Sequence, residues 1–95
     1  MALACTLNRQ KDGQATLELA GRLDAEAAPQ AEAAAQPLLD DPPARLVLDL
    51  KRLDYISSAG LRLILRLQKT VEGRQGAVVL RHVQAPIRRV IEMAG

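Results

Sequence analysis

Between residues 44 and 67, "ARLVLDLKRLDYISSAGLRLILRL", the apolar pattern changes from the period of a strand to that of a helix. That switch limits the available folds more than any other feature of the chain. "ARLVLDL" (44–50) is β-rich, and its near-continuous Leu46-Val47-Leu48 fits a central strand covered on both faces. "KRLDYI" reads as a short link carrying the chain from this strand to the serines. From Leu61 a helical stripe begins. Leu61, Ile64, Leu65 and Val71 form it, Leu63 and Leu67 broaden it, and Arg62, Arg66 and Lys69 recur on the other side. Leu65 is expected in the core, where Leu65→Ala would cost about 2–5 kcal/mol. "EGRQG" ends the helix, with Gly73 just past it, and "AVVLRHV" supplies the next strand. Strand, helix and strand at this spacing make a right-handed parallel crossover.

The flanking segments complete the pattern. "LACTLNR" (3–9) and "QATLELA" (14–20) alternate and are joined by a turn, as in a hairpin. "GRLDAEAAPQAEAAAQPLLDD" is Ala-rich and helical, with Asp24 as N-cap and Pro29 in the early turns. Pro37 should stop or kink that helix, and "DDPP" terminates it. "QAPIRRVIEMAG" forms a last short helix with Pro86 in its first turn. Ile87, Val90, Ile91 and Ala94 make its apolar face, Arg88 and Arg89 point away, and Gly95 terminates it. The expected architecture is α/β: a small mixed β-sheet with packed helices, order β-β-α-β-α-β-α, in one domain over residues 1–95.

With 95 residues, the chain buries roughly two-thirds of its unfolded surface, so nearly every element must feed one core. Cys5 is the only cysteine; it reads as a plain strand residue and fits a reducing compartment. The most apolar run, "LRLILRL", is too short and too charged to span a membrane, and the N-terminus lacks the pattern of a signal peptide. A cytoplasmic location without membrane insertion is expected.

Residues 1–47 hold four Lys/Arg against seven Asp/Glu, whereas residues 48–95 hold nine against four. The second half therefore presents a basic surface, built chiefly by Arg62, Arg66, Lys69, Arg81, Arg88 and Arg89. Tyr55 is the only aromatic residue, so stacking platforms for nucleic acid are missing, and an acidic protein partner suits this surface better.

The serine pair Ser57-Ser58 lies where the strand period ends and the helix begins. A helix N-terminus offers unpaired N–H groups and a positive partial charge. Ser57 is expected to cap the helix, contributing about 1 kcal/mol, which leaves Ser58 without a capping role and pointing outward. Gly60 removes a side chain where the helix start approaches the sheet or a partner closely. A hydroxyl in Ser58's position accommodates a phosphate without unfolding anything.

"LVLDLKRLDYISSAGLRLIL", preceded by "GRLDAEAA", resembles the STAS domain family, and within it the bacterial anti-anti-sigma factors, also called anti-sigma factor antagonists. The resemblance runs from the "LELAGRLDA" passage to the "RRVIEMAG" helix. It implies that Ser58, followed by Ala59, Gly60 and Leu61, is the serine phosphorylated by a partner that is both serine kinase and anti-sigma factor. By the same resemblance, the unphosphorylated protein is expected to bind that partner and release the sigma factor, the phosphorylated form to be released, and a phosphatase to reset it. Asp24 matches a recurring acid near the switch.

Two departures accompany the match. Ser57 stands where the family often has Asp, making it a second candidate phosphorylation site. The family usually continues with another strand and helix, so an open sheet edge is expected here, free to pair with a second copy. The partner surface expected from these readings comprises Asp24, Ser57, Ser58, Ala59, Gly60, Arg62 and Arg66.

No cofactor and no enzymatic activity are expected. "GRQG" lacks the spacing and lysine of a phosphate loop, and His82 reads as a strand-end residue. Asp49 and Asp54 lack a third metal ligand. The alternative is a STAS adaptor without a phosphorylation cycle, serving as a subunit of a transporter or lipid-transport ATPase complex.

Overall fold

The computed structural model describes residues 2–94. β1 (Ala4–Arg9) and β2 (Gln14–Leu23) pair antiparallel across a turn in which Gly13 takes φ +87°. β2 then pairs in parallel with β3 (Arg45–Asp49), and β3 with β5 (Ala77–Arg81), giving the order β1-β2-β3-β5. β2 is the spine of the sheet. Its ten residues outrun β3, and its last three pair with β4 (Leu53–Ile56) after a register shift at Gly21, whose φ is +96°.

β4 lies within the 51–56 link. Leu53 and Ile56 are buried, but four residues are too few to stand out as an element in the sequence. The expected order is found, with this one short strand added to it. Gln84 ties β4 to the foot of the last helix: its side-chain amide donates to the carbonyls of Lys51 (3.0 Å) and Leu53 (2.9 Å).

The sheet advances in one direction from β2 to β3 to β5, so right-handed crossovers place both intervening helices on one face. Those helices, α1 (Ala28–Asp40) and α2 (Ser58–Gly73), pack against each other. Leu17, Leu19, Leu46, Leu48, Ile64 and Leu67 lie at the centre of the cluster they cover. Among the described residues no polar or charged side chain is buried. Val47 is fully buried but stands outside this cluster, on the opposite face and in register with Thr16 and Val79. β3 is central as expected, yet its second face is closed by neighbouring side chains instead of a helix layer.

Several local expectations are corrected. Asp24 does not cap α1; Ala27 occupies that position with no side-chain hydrogen bond, and Asp24 Oδ1 instead accepts from the Ala27 amide at 2.8 Å. The aspartate thus closes the turn before the helix. Pro37 does not stop α1, which runs one more turn to Asp40. Pro37 and Ala33 are both exposed, so water can take the carbonyl that the missing N–H leaves free. Arg9 reaches over from β1 and donates to the carbonyls of Pro37 (2.6 Å) and Asp41 (2.8 Å), tying down this end of α1.

Helix α2 includes Gly73; the left-handed residue that follows it is Gln75, with φ +63°. A Cβ at position 76 would come within 2.8 Å of the Ala44 carbonyl oxygen, so glycine is needed there and the positive φ falls on its neighbour. The last helix, α3 (Ala85–Ala94), buries only Ile87. Val90 and Ala94 of its apolar face are exposed, as is Met93 at 88%. The terminator assigned to Gly95 lies outside the described residues.

The buried stripe of α2 is Gly60, Leu63, Ile64, Leu67 and Val71. Leu65 is not in it. At 100° per residue Leu65 stands roughly 140° from the middle of the stripe, and the structure leaves it half-exposed. Leu67→Ala should therefore cost about 2–5 kcal/mol in chemical denaturation and Leu65→Ala under about 1.5 kcal/mol. Equal losses would place the α2 stripe wrongly.

Gly60 sets how close α2 comes to the sheet. A Cβ on it would lie 2.5 Å from Leu23 Cγ and 3.1 Å from Ile56 Cγ1, both fixed in the core. Alanine gains about 1 kcal/mol of helix propensity over glycine, but overpacking costs about 1–3 kcal/mol. Gly60→Ala is expected to lower the midpoint of thermal unfolding; a raised midpoint would mean the contact yields freely.

Candidate functional site

The site is the corner where β2 and β4 end and α2 begins. Backbone bonding builds it: the Ser57 amide donates to the Leu23 carbonyl at 2.8 Å, carrying the β2–β4 pairing to the last residue before the helix. Ser57 keeps extended dihedrals (φ −90°, ψ 172°), its carbonyl accepts from the Leu61 amide at 2.8 Å, and its Oγ accepts from the Gly60 amide at 3.2 Å. It is the N-cap, as expected from the sequence.

Ser58 opens the helix and is exposed, with its hydroxyl uninvolved in the cap. Ala59 is half-buried, and Gly60 faces the sheet. Asp24 directly follows Leu23, whose carbonyl takes the Ser57 amide, so the chain brings it to the same corner. Its carboxylate is engaged by the turn at Ala27. Asp24, Ser57, Ser58 and Gly60 are thus gathered by one run of backbone pairing.

Arg62 and Arg66 continue from Ser58 along the exposed side of α2. They differ in one respect. Arg66 Nη1 lies 3.1 Å from Glu32 Oε1 on α1, while Arg62 has no ion-pair partner among the described residues. Both side chains of the Arg66–Glu32 pair are about half exposed (55% and 53%), so water screens it and it contributes only about 0–1 kcal/mol. Ala28, Glu32, Ala59, Arg62, Leu63 and Arg66 line a cleft of about 320 Å³ between the two helices.

One contact is invisible in the sequence. The Arg22 guanidinium stands 4.3 Å over the ring of Tyr55, its partner across β2 and β4, on the strand leading into the serines. Such an exposed cation–π contact contributes about 0.5–1 kcal/mol. It depends on the register shift at Gly21, for which the sequence carries no signal beyond the glycine itself.

The remaining candidates lie apart from this corner. Asp49 Oδ1 accepts from the Lys51 amide at 3.1 Å, and His82 is exposed just beyond β5 with φ +58°. Partial burial pushes the Cys5 thiol above its ordinary pKa, which keeps it protonated and unreactive at neutral pH. No helix among the described residues is long and apolar enough to cross a membrane.

The chain is similar to several known proteins. A family profile described as "Mlab, STAS domain" matches residues 6–95. A Bordetella bronchiseptica protein named as an anti-sigma factor antagonist, BtrV, is 42% identical over 84 residues, spanning 88% of this chain and 72% of its own. An anti-sigma factor antagonist from Mycobacterium paratuberculosis superposes with a TM-score of 0.81 at 26% identity, over 99% of this chain and 79% of that one. The Bacillus cell fate determinant SpoIIAA in its phosphorylated form has a TM-score of 0.79 at 22% identity, over 97% of this chain and 84% of that one. The fold read first from sequence is that of a recognised group: this chain belongs to the STAS domain family.

Proposed function

We propose that the chain is an anti-sigma factor antagonist whose binding is switched by phosphorylation of Ser58. The observation that carries this reading is the division of labour between the two serines. Ser57 spends its hydroxyl on the cap, whereas Ser58 presents an uncommitted one at the positive end of α2. The 42% identity to BtrV supports the antagonist role, and a SpoIIAA solved in its phosphorylated form has the same fold.

The partner is an anti-sigma factor with serine kinase activity. The Ser58 oxygen attacks the γ-phosphorus of a nucleoside triphosphate, the bond to the nucleoside diphosphate breaks, and the hydroxyl proton leaves to solvent or a kinase base. A phosphatase resets it by hydrolysis: water attacks the phosphorus, the bond to the Ser58 oxygen breaks, that oxygen regains a proton, and inorganic phosphate leaves. The chain is then a substrate and a binding protein, not an enzyme. Ser57 is the weaker acceptor, because modifying its oxygen would disturb the bond from Gly60.

The added dianion changes the surface that the partner meets without unfolding the corner that bears it. The surface comprises Ser58, Ala59, Arg62 and Arg66, with Asp24 on the adjoining turn. The outer edge of β5 has no strand partner among the described residues, which leaves it able to pair with a second copy.

Wild type, Ser58→Ala and Ser58→Asp used as baits in the native lysate should behave differently. The first two should hold an ATPase-like serine kinase identified by mass spectrometry, and Ser58→Asp should lose it. A second reading, a STAS adaptor subunit of a transporter or lipid-transport ATPase, draws on the Mlab description of the matching profile. It predicts the same membrane-complex subunits on all three baits, which would remove the switch.

A further inference from the structure

The charged groups around Ser58 are unequally committed. On β2, Arg22 lies over Tyr55, and in the turn that follows the strand Asp24 holds the Ala27 amide. On α1, Glu32 holds Arg66. Asp54 on β4 is exposed and carries no positive charge. Of Arg22, Arg62 and Arg66, Arg62 alone has no hydrogen bond, ion pair or aromatic ring as a side-chain partner among the described residues.

Its position on the helix is also distinctive. Arg62 is four residues after Ser58, so the two side chains stand roughly 40° apart and one turn from each other. Helical side chains tilt toward the N-terminus, which lays Arg62 back over the turn that begins with Ser58. Arg66, one turn further on, is drawn sideways to α1 by Glu32. An anion followed four residues later by a cation is the favourable order along a helix.

We propose that Arg62 is the internal partner of the phosphate on Ser58, closing onto it as an i,i+4 latch. This deepens the reading of Ser58 as the modified residue and rests on it. Phosphorylation then has two effects on the binding surface: it adds a dianion, and it withdraws the one nearby arginine that was free to meet an acidic partner. A guanidinium fork engages two phosphate oxygens at once, so the latch also fixes the phosphate against the helix. Arg66 stands about two turns from Ser58, beside Glu32, and lies beyond the phosphate's reach. The two forms therefore differ in the availability of a cation as well as in net charge.

Phosphorus NMR tests this on the full chain with phosphoserine installed at position 58 during translation. A cation held against the phosphate favours its dianion, so the second ionisation should lie at lower pH in wild type than in Arg62→Gln, by about half a pH unit. Arg66→Gln should titrate like wild type. Coincident midpoints for wild type and Arg62→Gln would overturn the latch. So would equal displacement in the two glutamine variants, since that would reflect the general field of a basic helix. The titration needs no partner protein, so its failure leaves the switch itself standing. The bait comparison needs no Arg62 variant, so its failure would remove the switch whatever the titration shows.

Discussion

A contact defined by what is missing governs this molecule. Gly60 lets the first turn of α2 sit on Leu23 and Ile56 with no room for even a methyl group between them. That proximity allows the Ser57 amide to complete the β2–β4 pairing while the Ser57 hydroxyl caps the helix. With the backbone held on both sides of it, Ser58 has one direction left, toward solvent. The exposed hydroxyl is thus a by-product of packing.

What the sequence disclosed, and what it hid, follow from the range of the interactions involved. The helix stripe, the hairpin and the Ser57 cap are written in residues a few positions apart, so periodicity and local chemistry expose them. β4 was obscured because its pairing is with β2, thirty residues away, and its four residues alternate too briefly to register. Leu65 misleads for a related reason. α2 carries more apolar residues than one face can bury, and only the placement of the sheet and α1 decides which of them face inward. Pro37 breaks the local rule at little cost, since the carbonyl it frees faces water. At the candidate site, the serines and Gly60 were legible; the Arg66–Glu32 and Arg22–Tyr55 contacts, which decide which charges stay available, were not.

The electrostatics are confined to the rim. The two ion pairs among the described residues, Arg9–Asp41 and Arg66–Glu32, are on the surface and contribute little to stability. Their effect is positional. Arg9 ties the end of α1 to β1 through two carbonyls, and Glu32 decides which of two neighbouring arginines on α2 is occupied. Charges that barely stabilise the fold can still settle which groups a partner finds.

The wholly apolar interior has an evolutionary consequence. A core in which, among the described residues, no polar or charged side chain is buried fixes volume and shape but makes no demand on the identity of any surface group. Residues at exposed positions such as 62 and 66 can therefore diverge between duplicated copies with little loss of stability. A genome carrying several such domains could insulate parallel circuits from one another by drift at the rim alone, while a single ancestral interior persists unchanged in all of them.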